Sequence, residues 1–285
     1  MRDSHNEKVF SSGWDDYELI DAGGSQKLER WGKIYTIRPE RQAYFKSGMT
    51  FAEWDKLAHW KFTETSNQKG TWKSLQPAPK EWEIEVLKCR FKLELTQFKH
   101  IGLFPEQFIN WQHIQKSLRP EDKMLNLFAY TGASSIIAKS KGADTYHVDS
   151  VKQLINWAKI NMELSGLKDI KWVLEDALKF AQREVKRGNT YRLIQMDPPA
   201  WGIGAKGEKW KLENKIEELI SIAFSLLENK GTLIINTYSP RIELQTLKGI
   251  VESHKPQKIT TSAELWQKTK TGKKLYYGDL IIAKK

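Results

Sequence analysis

Met124-Leu125-Asn126-Leu127-Phe128-Ala129-Tyr130-Thr131-Gly132 decides the fold of this chain. A short apolar run that stops at Thr131-Gly132 reads as a buried strand closed by a turn. The residues that follow repeat the pattern. Thr145-Tyr146-His147-Val148-Asp149 is a second strand, and Val151, Leu154, Ile155, Ala158 and Met162 then recur at helical spacing up to Ser165-Gly166. Ile170 to Leu174 and Tyr191 to Met196 read as a third and a fourth strand. Ile216, Leu219, Ile220, Ala223 and Leu227 form another helical face ahead of the strand Thr232-Leu233-Ile234-Ile235. Strands alternating with helices make βαβ units, hence a parallel sheet covered on both faces.

The end of the chain departs from that rhythm. Two β-like stretches, about 257–267 and 274–283, are joined by Lys268-Thr269-Lys270-Thr271-Gly272-Lys273. That link is too short for a crossover helix, so the two must pair antiparallel. The expected fold is therefore α/β: a Rossmann-like, seven-stranded sheet with a reversed last strand. The basic loop of the hairpin either touches a phosphate backbone or is simply solvated.

Upstream the pattern is different. Trp82, Ile84 and Val86 alternate with acidic residues, and Phe91, Leu93 and Leu95 alternate again after Lys88-Cys89-Arg90, as a hairpin or a bulged strand would. Gly23-Gly24 and Pro77-Ala78-Pro79 mark turns. We expect a small β-rich domain over 1–97 and the α/β domain over 98–285. Seven of the twelve tryptophans precede residue 112, where they either fill a small β core or offer surfaces on which bases stack.

Composition narrows the class. A single cysteine, Cys89, excludes an internal disulfide and argues against a thiolate metal site. The six histidines show no metal-ligand spacing, so no metal is expected. No apolar run reaches the roughly 18 residues of a membrane span, and Met1-Arg2-Asp3-Ser4-His5-Asn6-Glu7-Lys8 lacks a leader's apolar stretch. A cytoplasmic protein without a membrane partner is the expectation. The net charge of +11 is uneven: residues 1–110 carry 17 basic and 16 acidic side chains, and 111–285 carry 29 and 19. Such an excess favours a polyanion such as RNA.

In an open α/β sheet, ligands bind beyond the carboxyl ends of the strands. Strands two, three and four each end in a carboxylate: Asp149, Asp176 and Asp197. Any one of them serves equally well as a helix N-cap. Three on successive strands point to a ligand. Asp149 lies where an acidic residue reaches ribose hydroxyls. Asp176, with the Ala177 amide beside it, is placed to read an adenine ring. The first turn holds one glycine, Gly132, so the G-x-G-x-x-G fingerprint of dinucleotide sites is absent and NAD is disfavoured. S-adenosylmethionine has no pyrophosphate and fits one glycine with acidic contacts. Asp197-Pro198-Pro199-Ala200-Trp201 then fixes an extended exit from strand four, because two prolines lock φ and donate no hydrogen bond. It holds a carboxylate near the methyl donor and presents Trp201 to a base.

These motifs resemble those of the large-subunit ribosomal RNA methyltransferase family. The resemblance rests on Asn126 to Gly132, His147-Val148-Asp149-Ser150, Asp176-Ala177 and Asp197-Pro198-Pro199. It is nearest to a branch without an N-terminal RNA-binding module and without a catalytic cysteine. Phe98 to Gln107 and Gly207-Glu208-Lys209-Trp210-Lys211-Leu212-Glu213 are similar too, and the likeness runs from about residue 17 onward. It implies a class I S-adenosylmethionine-dependent methyltransferase acting on RNA. Phe128, Tyr130, Thr131, Gly132, Asp149, Ser150, Asp176, Ala177 and Asp197 would then hold the cofactor. In such proteins the segment before the first strand folds over the cofactor, which adds Lys99, Phe104 and Gln107. Relatives that methylate carbon-5 of a pyrimidine carry a cysteine after strand five. Here Asn236-Thr237-Tyr238-Ser239-Pro240 places Tyr238 there, so a base nitrogen is the expected acceptor, with Asp197, Pro198, Pro199, Trp201 and Tyr238 around it. A methyltransferase acting on a protein or small molecule, and a catalytically silent RNA-binding protein, are the alternatives.

Overall fold

The run Met124 to Leu127 is a strand, Lys123–Leu127, and three of its side chains are almost wholly excluded from solvent. In the computed structural model, which describes residues 6–66, 69–203 and 209–285, it is a central strand of an eight-stranded sheet. Asp144–Asp149 and Tyr191–Met196 pair with it in parallel on either side. Lys171–Leu174 lies outside the former and Leu227–Thr237 outside the latter, both parallel. Lys274–Lys284 runs antiparallel to Leu227–Thr237, and Lys258–Lys268 is its next neighbour. These seven strands make the sheet with a reversed last strand that the sequence leads one to expect. A three-residue strand, Lys8–Phe10, adds an eighth at the edge.

The two helical faces read from the sequence lie on Lys152–Leu164 and Ile216–Leu226, with Leu227 already in the next strand; Ala133–Ser140, Ala177–Lys186 and Leu244–Ser253 are further helices. Leu125, Leu127, Ile194, Met196, Leu233 and Ile235 are buried with Phe180, Leu219, Ile220 and Leu247 in one core. Burial of each such side chain contributes roughly 1.5–3 kcal/mol. Two local expectations are corrected. Val151 caps the Lys152–Leu164 helix and is 42% exposed, whereas Asn161 joins the buried stripe with Ile155 and Ala158. Strand five begins at Leu227, not Thr232; Tyr191 pairs with Leu227 and Leu193 with Thr232, and the extra residues are looped out with Lys230 at φ 64°.

By its contacts the chain forms two units. One is Met1–Val9, Asn110–Leu265 and Gly278–Lys285; the other is Phe10–Ile109 and Trp266–Tyr277. The division differs from a cut at 97/98, since 98–109 and the tip of the last hairpin belong to the N-terminal unit. That unit holds a five-stranded sheet, Tyr17–Gly23, Gln26–Trp31, Ile34–Pro39, Trp60–Ser66 and Lys69–Ser74 in that order. The Glu81–Val86 and Cys89–Glu94 strands form the expected hairpin, closed by Leu87 and Lys88 with positive φ. Trp14, Trp31, Trp54 and Trp60 are buried, so these tryptophans are core.

Candidate functional site

The register of the sheet assembles the site. Leu127 pairs with Val148 on one side and with Met196 on the other. Asp149, Phe128 and Asp197 are therefore the next residues on three adjacent strands, with Asp149 and Asp197 about 10 Å apart at two strand spacings. Leu174 pairs with Asp149, which brings Asp176 to the same end of the sheet two residues later. After the Lys171–Leu174 strand the chain returns to the other side of Lys123–Leu127. The crevice where α/β sheets bind ligands opens at that reversal.

Three residues of the first turn have positive φ: Phe128 at 58°, Tyr130 at 53° and Gly132 at 89°. Gly132 caps the Ala133–Ser140 helix, and a Cβ built there would lie 2.9 Å from the Ala158 Cβ. Glycine thus serves both the left-handed backbone and the close approach of the Lys152–Leu164 helix. Asp149 holds the turn from the neighbouring strand. Its Oδ2 accepts the Tyr130 amide at 2.9 Å and its Oδ1 accepts the Val151 amide at 2.9 Å. Burial pushes its carboxyl above the ordinary value, opposed by the amides of Val151, Tyr130 and Ser150. A carboxylate offers about four lone-pair sites, so acceptor capacity remains beside these amides.

A buried polar network underlies the turn. The Asn126 amide donates to Ser135 Oγ at 2.9 Å, Ser135 Oγ lies 3.1 Å from His147 Nδ1, and the Asn161 amide donates to the Thr131 carbonyl at 3.0 Å. Burial holds the His147 imidazole down at about 3, so it is neutral. Ser135 and Asn161 escape a reading based on motifs. Their signal is a polar residue in an otherwise apolar stripe.

Asp176 caps the Ala177–Lys186 helix, its Oδ1 accepting the Lys179 amide at 2.9 Å. The capping role and a ligand role coexist, since one amide leaves lone pairs over. Ala177 is the first helical residue, and its amide has no acceptor within the helix. Asp197 is half-buried, Pro198 buried and Pro199 exposed. The Pro199 carbonyl accepts Trp210 Nε1 at 2.6 Å, and Trp210 lies 5.4 Å from the Phe128 ring. Trp201–Ile203 pairs antiparallel with Lys209–Lys211, while Gly207 and Glu208 of the motif lie outside the described residues. Lys99, Phe104 and Gln107 belong to the N-terminal unit. There Arg38 Nη1 donates to the Lys99 carbonyl at 2.9 Å, and burial lowers the Lys99 ammonium below its usual value.

The described side chains suit a phosphate-free nucleoside. Val151, Leu174, Trp201 and Tyr238, large apolar residues left exposed, all stand at or just beyond a strand's carboxyl end, alongside the three carboxylates.

A parallel sheet with one reversed strand, a single-glycine turn and strand-end carboxylates define the class of Rossmann-like methyltransferases. The comparisons agree. A family described as S-adenosylmethionine-dependent methyltransferase matches residues 56–254. The chain belongs to that family, and it is an S-adenosylmethionine-dependent methyltransferase. The structure of an SAM-dependent methyltransferase from Agrobacterium tumefaciens is 31% identical, aligns over 100% of this chain and 96% of that one, and has a TM-score of 0.87. A putative methyltransferase solved in complex with SAH shares the fold at 17% identity and a TM-score of 0.76, over 94% of this chain and 75% of that one. Ribosomal RNA large subunit methyltransferase K/L of Pseudoalteromonas atlantica is 29% identical over 178 residues. That match covers 60% of this chain and 24% of the relative, so the chain spans about a quarter of the curated relatives' length.

Proposed function

We propose that this protein methylates a base nitrogen in RNA, with ribosomal RNA the leading substrate. The observation that carries the reading is the Asp197-Pro198-Pro199 exit beside an exposed Trp201, at the end of the strand next to the cofactor turn. The name of the curated relatives and the excess of 46 basic over 35 acidic residues support RNA as the polyanion.

S-adenosylmethionine, when bound, supplies a methyl group on a sulfonium, open to in-line displacement. Asp149 accepts its ribose hydroxyls, and Asp176 with the Ala177 amide reads the adenine. Phe128, Tyr130, Thr131, Gly132 and Ser150 shape the turn around it. Asp197 orients the acceptor base by accepting a hydrogen bond from its amino group, and Pro198 and Pro199 fix that carboxylate. Trp201 stacks on a base. Tyr238, 43% exposed after strand five, lines the acceptor side. A carbon-5 acceptor would need a thiol there, and Cys89 is buried at 2% exposure in the N-terminal hairpin.

The test is transfer of radiolabelled methyl groups to total RNA from a strain lacking the gene, followed by nucleoside mass spectrometry. Label in one methylated base nitrogen supports the reading. Label only in protein or small molecules, or at carbon-5, overturns it.

A further inference from the structure

The N-terminal unit carries a surface that the methyl-transfer chemistry does not use. It is built from two loops. Residues 41–50 contain Arg41 and Lys46 and no acidic side chain. Between those cations stands Tyr44, 82% exposed, the most exposed large hydrophobic side chain among the described residues. The second loop is the tip of the last hairpin, where Lys268, Lys270, Lys273 and Lys274 fall within seven residues that include no acid. Lys268, Lys270 and Lys274 are exposed. With this tip the unit holds 19 basic and 14 acidic residues, four of the basic ones from the hairpin, so much of the positive charge of the C-terminal sequence folds onto the N-terminal unit.

One buried carboxylate joins the loops. Asp21 is 0% exposed, and its oxygens accept Gly48 N at 3.1 Å, Met49 N at 2.7 Å and Trp54 Nε1 at 3.0 Å. They also accept Thr271 Oγ1 at 2.5 Å. These hydrogen bonds hold its carboxyl below the usual range against the opposing effect of burial. Further backbone bonds fasten each loop: Gly24 N to Phe45 O at 2.9 Å, Ser25 N to Ala43 O at 2.7 Å, and Lys270 N to Leu19 O at 3.0 Å. These tethers use backbone, Thr271 and Trp54 and not the cationic heads, of which Lys274 Nζ lies 5.7 Å from the Phe10 ring centre.

We propose that these two loops form a binding surface for single-stranded RNA, on which the lysines and Arg41 contact phosphates and Tyr44 stacks on an unpaired base. A stacking ring needs an unpaired base, which is why a single strand is favoured over a duplex. The inference rests on the reading of RNA as substrate.

The experiment measures fluorescence anisotropy of a labelled single-stranded oligoribonucleotide, and of its duplex, against the full chain over a salt series. The variants are Tyr44→Ala and the pair Lys268→Glu with Lys270→Glu, and calorimetry with S-adenosylhomocysteine checks that each is folded. Tyr44→Ala is expected to weaken single-strand binding about five- to hundredfold at unchanged cofactor affinity. The lysine pair is expected to flatten the salt dependence by about one to two units in log–log slope. Variants that bind like wild type overturn the surface while leaving the RNA reading intact. Wild type that fails to bind RNA at low salt overturns both. Tyr44→Ala that loses duplex and single strand equally refutes the stacking.

Discussion

Acidification from pH 7 to pH 5 is expected to remove the stability contributed by one side chain, His147, which sits beneath the Phe128–Gly132 turn. Its imidazole is fully buried and held at about 3, against an ordinary value of 6.5. Between those values the unfolded chain binds a proton that the folded chain refuses, so stability falls as pH falls below 6.5. The loss approaches about 1.4 kcal/mol per pH unit, or about 2 kcal/mol between pH 7 and pH 5. His147→Asn keeps a polar atom facing Ser135 Oγ, now 3.1 Å from Nδ1, and does not titrate. Whatever the smaller side chain costs in packing is the same at both pH values. Urea denaturation of wild type and His147→Asn at pH 7 and pH 5 isolates the effect as a difference of differences. A gap between the two proteins that narrows by about 2 kcal/mol on acidification is the expected result. A gap that does not change with pH refutes the neutral, buried histidine.

Gly132→Ala forces a Cβ to 2.9 Å from Ala158 at a φ of 89°; strain and overpacking should together cost about 2–4 kcal/mol in denaturation, and a loss under about 0.5 kcal/mol would contradict the close approach. Asp149→Ala is expected to lower S-adenosylhomocysteine affinity at least about tenfold by calorimetry. Asp197→Ala should retain that affinity and lose about a hundredfold or more in turnover; the reverse assignment of effects would mean the two roles are exchanged. Trp201→Ala should raise KM for RNA about five- to hundredfold with cofactor affinity unchanged, as steady-state kinetics would show.

The α/β class of the sheet was legible because apolar runs alternate with helical spacing and the last two runs are joined by a link too short for a crossover; the order of the strands in the sheet was not. The placement of Asp149 and Asp197 at strand ends was legible for a related reason: each carboxylate closes a short β-like run. What stayed hidden depends on contacts without a period. Asn161 occupies a core position because its amide finds the Thr131 carbonyl, a partner 30 positions away that no spacing encodes. Lys8–Phe10 is three residues long and largely exposed, and it is a strand only because a sheet edge receives it. The tip of the last hairpin joins the N-terminal unit through Asp21, again a matter of tertiary pairing.

The most direct test is a crystal structure of the protein with S-adenosylhomocysteine. The nucleoside should lie over the carboxyl ends of Lys123–Leu127 and Asp144–Asp149, its ribose hydroxyls on the Asp149 carboxylate and its sulfur toward Asp197. Density for the nucleoside at another place, or a ribose out of reach of Asp149, would contradict the account.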